Sequence, residues 1–230
     1  MKLKLLLLQI STYMGCFASQ IDTLHVFSDS MNKSIPNIVI LPNSYSNEKE
    51  GFSVLYLLHG ASGNYTDWPT KVPQIQELAD LYNIIIVCPD GGFNSWYVDS
   101  PIDEQWRYET YFSSELIRQV DKTYNTSALK SGRAITGLSM GGHGAFYLAF
   151  RHQHLWGAAG SMSGGMDIRP FPNSWSISQR LGSYSEYPEN WEKNTIINMV
   201  HLLDGKSLML IFDCGVDDFF FDGNQRLHKK

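Results

Sequence analysis

Ser139 is the residue of this chain whose setting most clearly suggests chemistry, because it lies at the centre of a Gly-x-Ser-x-Gly sequence, residues 137–141. The segment "RAITGLS" leading to it is typical of a β-strand, and "GGHGAFYLAFRH" after it is typical of a helix. A serine at a tight strand-to-helix turn presents its hydroxyl above the sheet, where it can attack a carbonyl carbon. A glycine-rich turn with an incidental serine is the alternative, and the strand–turn–helix context favours the nucleophile.

Two backbone N–H groups are candidates for stabilising the negative oxygen that such an attack creates. Met140 opens the predicted helix, whose positive end and free N–H groups attract negative charge. Ala61 follows His59 and Gly60 at the end of the predicted strand "FSVLYLLHG". We therefore expect an oxyanion hole formed by Ala61 and Met140. His59 precedes the serine, against the order serine, acid, histidine, and is predicted to be a structural histidine beneath the loop.

A carboxylate that orients a catalytic histidine is expected after a late strand. The segment "LMLIFDCGVDDFFFDG" offers Asp213 at the end of a predicted strand, Asp217 and Asp218 in the loop beyond it, and Asp222. Adjacent side chains point in different directions, so one of Asp217 and Asp218 can face the base while the other is solvated. A plain acidic loop is the alternative interpretation.

The elements that would position these residues alternate along the chain. Near-continuous apolar strands such as "IIIVCPDGG" are separated by segments with helical spacing, such as "PQIQELADLYN". This alternation predicts an α/β fold with a mostly parallel central sheet and helices on both faces. We expect one domain over residues 20–230, with an insertion over about residues 164–206 at one end of the sheet.

Composition excludes several other functions. The 230 residues are 43% hydrophobic, enough for one sizeable core, and the net charge of −5 comes without a basic stripe. Nucleic acid is therefore not an expected partner. The sequence contains no C-x-x-C or H-E-x-x-H spacing, so we predict no metal site and no cofactor.

The N-terminus has the pattern of an export signal. Lys2 and Lys4 precede an apolar run, and small residues follow, which predicts a signal peptide over residues 1–19 and a secreted or periplasmic protein. The run is too short to span a bilayer. Lipid attachment at Cys16 is a minor alternative. Cys88 and Cys214 are expected to be buried free thiols, although export would also permit a disulfide between them.

Several segments together resemble the Putative esterase family of α/β-hydrolases. They are "VLYLLHGASGN", "NSWYVDS", "SSELIRQVDKTY", "ITGLSMGGHGA", "SMSG" and "DCGVDDFFFDGNQRLH". They occur in the family's order and cover nearly everything after residue 20. The family includes S-formylglutathione hydrolases, tributyrin esterases, feruloyl and acetyl-xylan esterases, and mycolyltransferases.

The resemblance implies roles for particular residues. Ser139 corresponds to the nucleophile, and Asp218 corresponds to the acid, three residues after the strand-end Gly215. Trp96 and Tyr97 correspond to a loop that lines the substrate pocket. The alternative for this pair is that the two rings merely cover the edge of the sheet.

The family's histidine motif is where this sequence departs from the pattern. That motif, of the type G-x-H-x-W, lies some tens of residues beyond the acid, whereas this sequence ends twelve residues after Asp218. We therefore expect a C-terminally incomplete chain that lacks the last strand, the histidine loop and the final helix. His143 and His228 are not expected to replace the missing base. Residues 20–230 alone are then expected to be nearly inactive, since a serine without a general base is a weak nucleophile.

The function that these patterns predict is hydrolysis of carboxylic esters through an acyl-enzyme, without a cofactor. An exported chain and an aromatic loop favour feruloyl or acetyl esters on polysaccharide as substrate. An S-formylglutathione hydrolase acting on a thioester is the first alternative. A catalytically inactive relative that retains the fold for binding is the second. The sequence does not indicate an oligomeric state.

Overall fold

A seven-stranded sheet forms the centre of the computed structural model, which describes residues 20–47, 50–203 and 208–230. The order of its strands is β1-β2-β4-β3-β5-β6-β7. Strands β1 and β2 pair antiparallel, as do β2 and β4, while all later pairs are parallel. The strands are β1 Gln20–Ser28, β2 Lys33–Leu41, β3 Val54–Leu58, β4 Ile85–Pro89, β5 Arg133–Gly137, β6 Ala158–Met162 and β7 Met209–Asp213. The predicted signal peptide lies outside the described residues.

Helices connect the parallel strands and pack around the sheet, which confirms the predicted α/β-hydrolase architecture. A π-helical stretch, Tyr111–Leu116, joins α3 and α4, and three short 3₁₀ segments are Lys130–Gly132, Ile196–Asn198 and Val200–Leu202. The α-helices are α1 Asp67–Lys71, α2 Ile75–Tyr82, α3 Tyr108–Thr110, α4 Ile117–Thr123, α5 Met140–Arg151, α6 Ile177–Leu181, α7 Pro188–Lys193 and α8 Phe221–His228. Among the described residues, no helix is long and apolar enough to cross a bilayer.

The core occupies both faces of the sheet. Along β2, Val39 belongs to the larger apolar cluster, whereas its neighbours Ile38 and Ile40 belong to the smaller one. This alternation follows from the two-residue period of a strand. A central strand with an apolar layer on each face needs apolar side chains at nearly every position. This explains the near-continuous apolar segments in the sequence.

The segment between β6 and β7 corresponds to the predicted insertion. Its apolar side chains, among them Trp191 and Ile196, are buried in the same cluster as the sheet residues. The buried carboxylate of Asp167 pairs with Arg169 beside it and with Arg226 of α8, at 2.8 Å and 2.7 Å. The described part of this segment therefore packs into the larger apolar cluster.

The two cysteines of the described chain differ in exposure. Cys88 is buried at the end of β4, and burial raises the pKa of its thiol to about 12. Cys214 is half-buried just after β7. Both are free thiols, and the predicted burial holds fully for Cys88 alone.

Candidate active site

Ser139 lies at a sharp turn between the end of β5 and the first residue of α5. Its φ of 57° and ψ of −115° are unusual for a residue with a side chain. The N–H of Ser139 donates to the carbonyl of Met162 at the end of β6, at 2.9 Å. A neighbouring strand thus holds the serine in its strained conformation, and such strain is typical of functional sites.

The two glycines of the motif are required by space. A Cβ on Gly137 would lie 2.5 Å from the backbone carbon of Gly141. A Cβ on Gly141 would lie 2.5 Å from the carbonyl oxygen of Leu58. Real Cβ contacts are longer than this, so helix α5 approaches β3 and β5 closely only because both positions lack a side chain. The Gly-x-Ser-x-Gly spacing is therefore explained by packing at the turn.

The loop after β3 lies next to the serine. A Cβ on Gly60 would be 3.7 Å from the Cβ of Ser139, so the loop backbone passes close to the serine side chain. The N–H groups of Ala61 and Met140 have no acceptor among the residues that the structure describes. Two unused donors thus lie on the two segments that meet at Ser139.

His59 supports this loop from below. It is 1% exposed, its Nδ1 donates to the carbonyl of Gly60 at 2.8 Å, and its Nε2 accepts from the N–H of Gly91 at 2.9 Å. Burial lowers the pKa of the imidazole, which keeps it neutral, as these two bonds require. The prediction of a structural histidine beneath the loop is confirmed.

Trp96 and Tyr97 are both buried, at 1% and 0% exposure. The hydroxyl of Tyr97 donates to the carbonyl of His59 at 2.8 Å, and its ring lies against Gly144 of α5. The N–H of Trp96 contacts the Sδ of Met140 at 3.4 Å. In this structure the pair supports the turn and the loop from within the core. Direct contact with substrate stays a prediction for both, and their burial does not favour it.

The family assignment rests on a match that covers most of the chain. A family model described as "Putative esterase" matches residues 28–222. The chain belongs to this family.

Two solved structures resemble the chain over most of its length. A ferulic acid esterase is 30% identical with a TM-score of 0.76, and the match covers 93% of this chain and 85% of that one. An S-formylglutathione hydrolase from Staphylococcus aureus has a TM-score of 0.78 at 18% identity, over 92% of this chain and 85% of that one. At this low identity, the similarity to the S-formylglutathione hydrolase supports only a shared fold.

Relatives found by sequence cover different shares of the chain. The acetyl esterase of Caldicellulosiruptor saccharolyticus is 25% identical over 89% of this chain and 83% of its own length. Esterase Rv1288 of Mycobacterium tuberculosis is 35% identical over 57% of this chain. The matched region spans only 29% of the length of that mycobacterial protein.

The two candidate acids of the family motif differ in their surroundings. Asp218 is half-buried in the turn between β7 and α8, and its Oδ1 accepts from the N–H of Phe220 at 2.8 Å. Asp217 is exposed. Neither carboxylate is hydrogen-bonded to a histidine of the described chain. The backbone bond fixes one oxygen of Asp218 and leaves the other available.

No histidine in the described part of the chain, which includes all seven, is hydrogen-bonded to the hydroxyl of Ser139. His143 is fully buried in α5, where its Nε2 donates to the carbonyl of Asn194 at 2.9 Å. Burial lowers the pKa of His143 to about 4. His228 is exposed near the end of α8. These positions agree with the expectation that His59, His143 and His228 do not serve as the base.

Asn94 is a residue of the site that sequence reasoning missed. Its Oδ1 accepts from the N–H of Ser62, at 2.8 Å, and its Nδ2 donates to the Oγ of Ser176 at 3.4 Å. The side chain is 4% exposed. It therefore ties the loop that carries Ala61 to the segment between β6 and β7. Asn94 is the first residue of the "NSWYVDS" motif, which was the available signal.

Proposed function

We propose that this protein is a serine carboxylic-ester hydrolase that works through an acyl-enzyme. The observation that carries the proposal is the strained turn at Ser139, flanked by the unused N–H groups of Ala61 and Met140. A nucleophile and two oxyanion donors on rigid backbone are what acyl transfer needs. Membership of an esterase family agrees with this assignment.

In the proposed reaction, the Oγ of Ser139 bonds to the acyl carbon of the ester while its proton passes to an imidazole base, a group that none of the described histidines places at Ser139. The carbonyl oxygen becomes negative and accepts hydrogen bonds from the N–H groups of Ala61 and Met140. The tetrahedral intermediate then collapses, and the alcohol leaves with the proton from the base. Water hydrolyses the acyl-enzyme by the same steps. Asp218 is proposed to orient the imidazole and stabilise its positive charge.

The proposed substrates are feruloyl or acetyl esters of polysaccharide, processed outside the cytosol. Similar proteins include a ferulic acid esterase and an acetyl esterase, which supports this class. Secretion is part of the proposal and rests on the N-terminal pattern of residues 1–19. A fold retained for binding is the competing function.

Labelling with a fluorophosphonate tests the proposal, because the probe forms a bond between phosphorus and the Oγ of an activated serine and releases fluoride. We expect slow labelling at neutral pH and faster labelling when imidazole is added as an external base. Ser139→Ala should abolish both. Ser131→Ala, an exposed serine at the opposite end of β5, should change neither.

The outcomes separate the two functions. Imidazole-dependent labelling that is lost only in Ser139→Ala supports a nucleophile with working oxyanion donors. Equal labelling of the wild-type chain and Ser139→Ala, or no labelling of the folded protein with or without imidazole, would instead support the binding function. Circular dichroism of each variant verifies that the compared proteins are folded.

A further inference from the structure

Hydrogen bonds hold the backbone of residues 59–62, which are called the oxyanion loop below. The carbonyl of Gly60 belongs to the same peptide group as the N–H of Ala61. It accepts from the Nδ1 of His59 at 2.8 Å and from the N–H of Gly63 at 3.2 Å. The C=O and N–H of a trans peptide group point in opposite directions. Because this carbonyl faces the buried imidazole, the N–H of Ala61 points away from it.

Two side chains from outside the oxyanion loop hold the peptide groups on either side of this one. The hydroxyl of Tyr97 donates to the carbonyl of His59 at 2.8 Å. The Oδ1 of Asn94 accepts from the N–H of Ser62 at 2.8 Å. Both side chains are buried, so each bond lies where the surroundings strengthen it. The peptide group that carries the N–H of Ala61 therefore lies between two others that Tyr97 and Asn94 restrain.

Close packing fixes the ring of Tyr97 and, with it, the position of the hydroxyl. A Cβ on Gly91 would lie 2.2 Å from the Cε1 of this ring, and a Cβ on Gly144 of α5 would lie 2.3 Å from its Cδ2. Phe112 contacts the ring edge-to-face at a centroid distance of 5.2 Å. The ring thus fills the space between the loop after β4 and α5, and it cannot turn without displacing backbone.

Residues 94–97 adopt a backbone that side chains disfavour. Asn94, Trp96 and Tyr97 have φ values of 53°, 57° and 60°, in the left-handed region. Asparagine tolerates this region, whereas two consecutive aromatic residues rarely adopt it. The N–H of Trp96 contacts the Sδ of Met140, the residue that carries the second proposed oxyanion donor. Strain of this kind is typical of functional sites, and here it places an amide and a hydroxyl against the oxyanion loop.

We propose that Tyr97 and Asn94 are positioning residues, which fix the N–H of Ala61 in the direction of the oxygen of the tetrahedral intermediate. The proposal rests on the proposed function of Ser139. A donor that is fixed before the reaction does not have to reorganise as negative charge develops. Loss of either bond would let the oxyanion loop move, and the N–H would then have to be reoriented in each reaction. The expected consequence is a slower chemical step with unchanged binding of the reagent.

Fluorophosphonate labelling with added imidazole measures this step over a series of probe concentrations. The Oγ of Ser139 bonds to phosphorus, fluoride leaves, and the proton of the serine passes to imidazole. The phosphonyl oxygen then takes the place of the oxyanion. Tyr97→Phe and Asn94→Gly should each lower the maximal labelling rate on the order of tenfold, with the half-saturating probe concentration unchanged. Phenylalanine keeps the ring, and glycine accepts the left-handed backbone at position 94, so each variant removes mainly the hydrogen bond.

Tyr111→Phe is the matched control. Tyr111 is also 0% exposed, and its hydroxyl donates to the Oδ1 of Asn37 on β2 at 3.0 Å, so the variant removes a similar buried bond away from the oxyanion loop. Its maximal labelling rate should equal that of the wild-type chain. Phosphorus NMR of the labelled protein gives a second measurement. In Tyr97→Phe the phosphonyl resonance should move toward its position in unfolded labelled protein, and in Tyr111→Phe it should not move.

Other results would overturn the inference. Equal maximal rates in the wild-type chain, Tyr97→Phe and Asn94→Gly would show that the two bonds do not affect the oxyanion donor. An equal loss of rate in Tyr111→Phe would assign the effect to general destabilisation. A change only in the half-saturating probe concentration would assign the two residues to binding of the probe.

Amide hydrogen exchange distinguishes a failure of this inference from a failure of the proposed function. The N–H groups of Ser62 and Gly63 should exchange on the order of tenfold faster in Tyr97→Phe and Asn94→Gly than in the wild-type chain. Faster exchange in a protein whose wild-type chain is never labelled would support the restraint of the oxyanion loop and contradict the esterase mechanism. Unchanged exchange in a protein that is labelled at Ser139 would contradict the positioning role alone.

Discussion

At the scale of single residues, the site depends on two side chains, Ser139 and Asp218, which are held in position in different ways. The backbone conformation of Ser139 fixes the position of its hydroxyl. The hydrogen bond to Met162 and the flanking glycines allow that conformation. The carboxylate of Asp218 is placed by its side chain, through the bond that its Oδ1 accepts from Phe220. Asp217 is exposed and has no comparable restraint. A carboxylate that is already fixed can orient an imidazole without losing further conformational entropy. A solvated carboxylate must first lose that entropy.

Asparagine at the two acidic positions tests this difference. Asp218→Asn should slow imidazole-assisted labelling of Ser139 on the order of tenfold or more, because the amide cannot stabilise an imidazolium. Its Oδ1 still accepts from Phe220, so the turn should remain folded. Asp217→Asn is the matched control and should stay within about twofold of the wild-type rate. The reverse ranking of the two measured rates would mean that the acid is Asp217.

At the scale of elements, His143 joins α5 to the segment between β6 and β7. Its ring lies 5.2 Å from the ring of Trp96 and 5.8 Å from that of Tyr147, and its Nε2 donates to Asn194. Desolvation by burial is the largest effect on the imidazole, and the backbone hydrogen bonds to Asn194 and Trp96 offset it only in part. Burial therefore lowers its pKa to about 4.

The depressed pKa of His143 predicts a loss of stability in mild acid. In the unfolded chain the imidazole titrates near pH 6.5. Between pH 6.5 and 4 the unfolded state therefore binds a proton that the folded state does not bind. The free energy of unfolding should fall by up to about 1.4 kcal/mol per pH unit in this window. His143→Gln can still donate to Asn194 and should give a smaller slope in urea unfolding.

The control for this pH dependence is His25→Gln, since His25 is exposed on β1. Its slope should match that of the wild-type chain. His59, whose pKa burial also lowers, should account for part of the slope that remains in His143→Gln. An unchanged slope in His143→Gln would show that this imidazole does not couple to folding.

At the scale of the whole molecule, β7 forms one edge of the described sheet. Met209 is 72% exposed, Leu210 39% and Ile211 76%, so apolar side chains face solvent on both sides of the strand. Edge strands with unpaired backbone groups and apolar side chains are templates for association with other chains. This strand is therefore a candidate region for intermolecular pairing.

A lysine on this strand should reduce self-association. Ile211→Lys places a charge on the exposed edge, where pairing with a second strand would have to bury it. Leu81→Lys is the matched control, since Leu81 is 72% exposed on α2, away from any strand edge. Light scattering over a concentration series should show a lower apparent mass for Ile211→Lys only. Equal behaviour of the two variants would assign self-association to another surface.

The sequence by itself determined the features that depend on neighbouring residues. Apolar runs and helical spacing predicted the alternation of buried strands and helices around a mostly parallel sheet, because burial imposes these periods directly on the chain. The spacing of Gly137, Ser139 and Gly141 predicted the turn, since only glycine fits so close an approach. Chain order alone indicated that His59 is structural, and its two backbone bonds confirm this.

Only the tertiary structure decided the features that join distant segments. It showed that Trp96 and Tyr97, which the family resemblance places in a loop lining the pocket, are buried, because the rings fill space beside α5 that a local pattern cannot reveal. It linked Asn94 to Ser62 and Ser176, far apart in sequence, and brought residues 171–175 against residue 219. Such contacts depend on the order of the strands and the paths of the loops, which long-range packing decides. The periodicity of a sequence shows only which face of each helix or strand is buried.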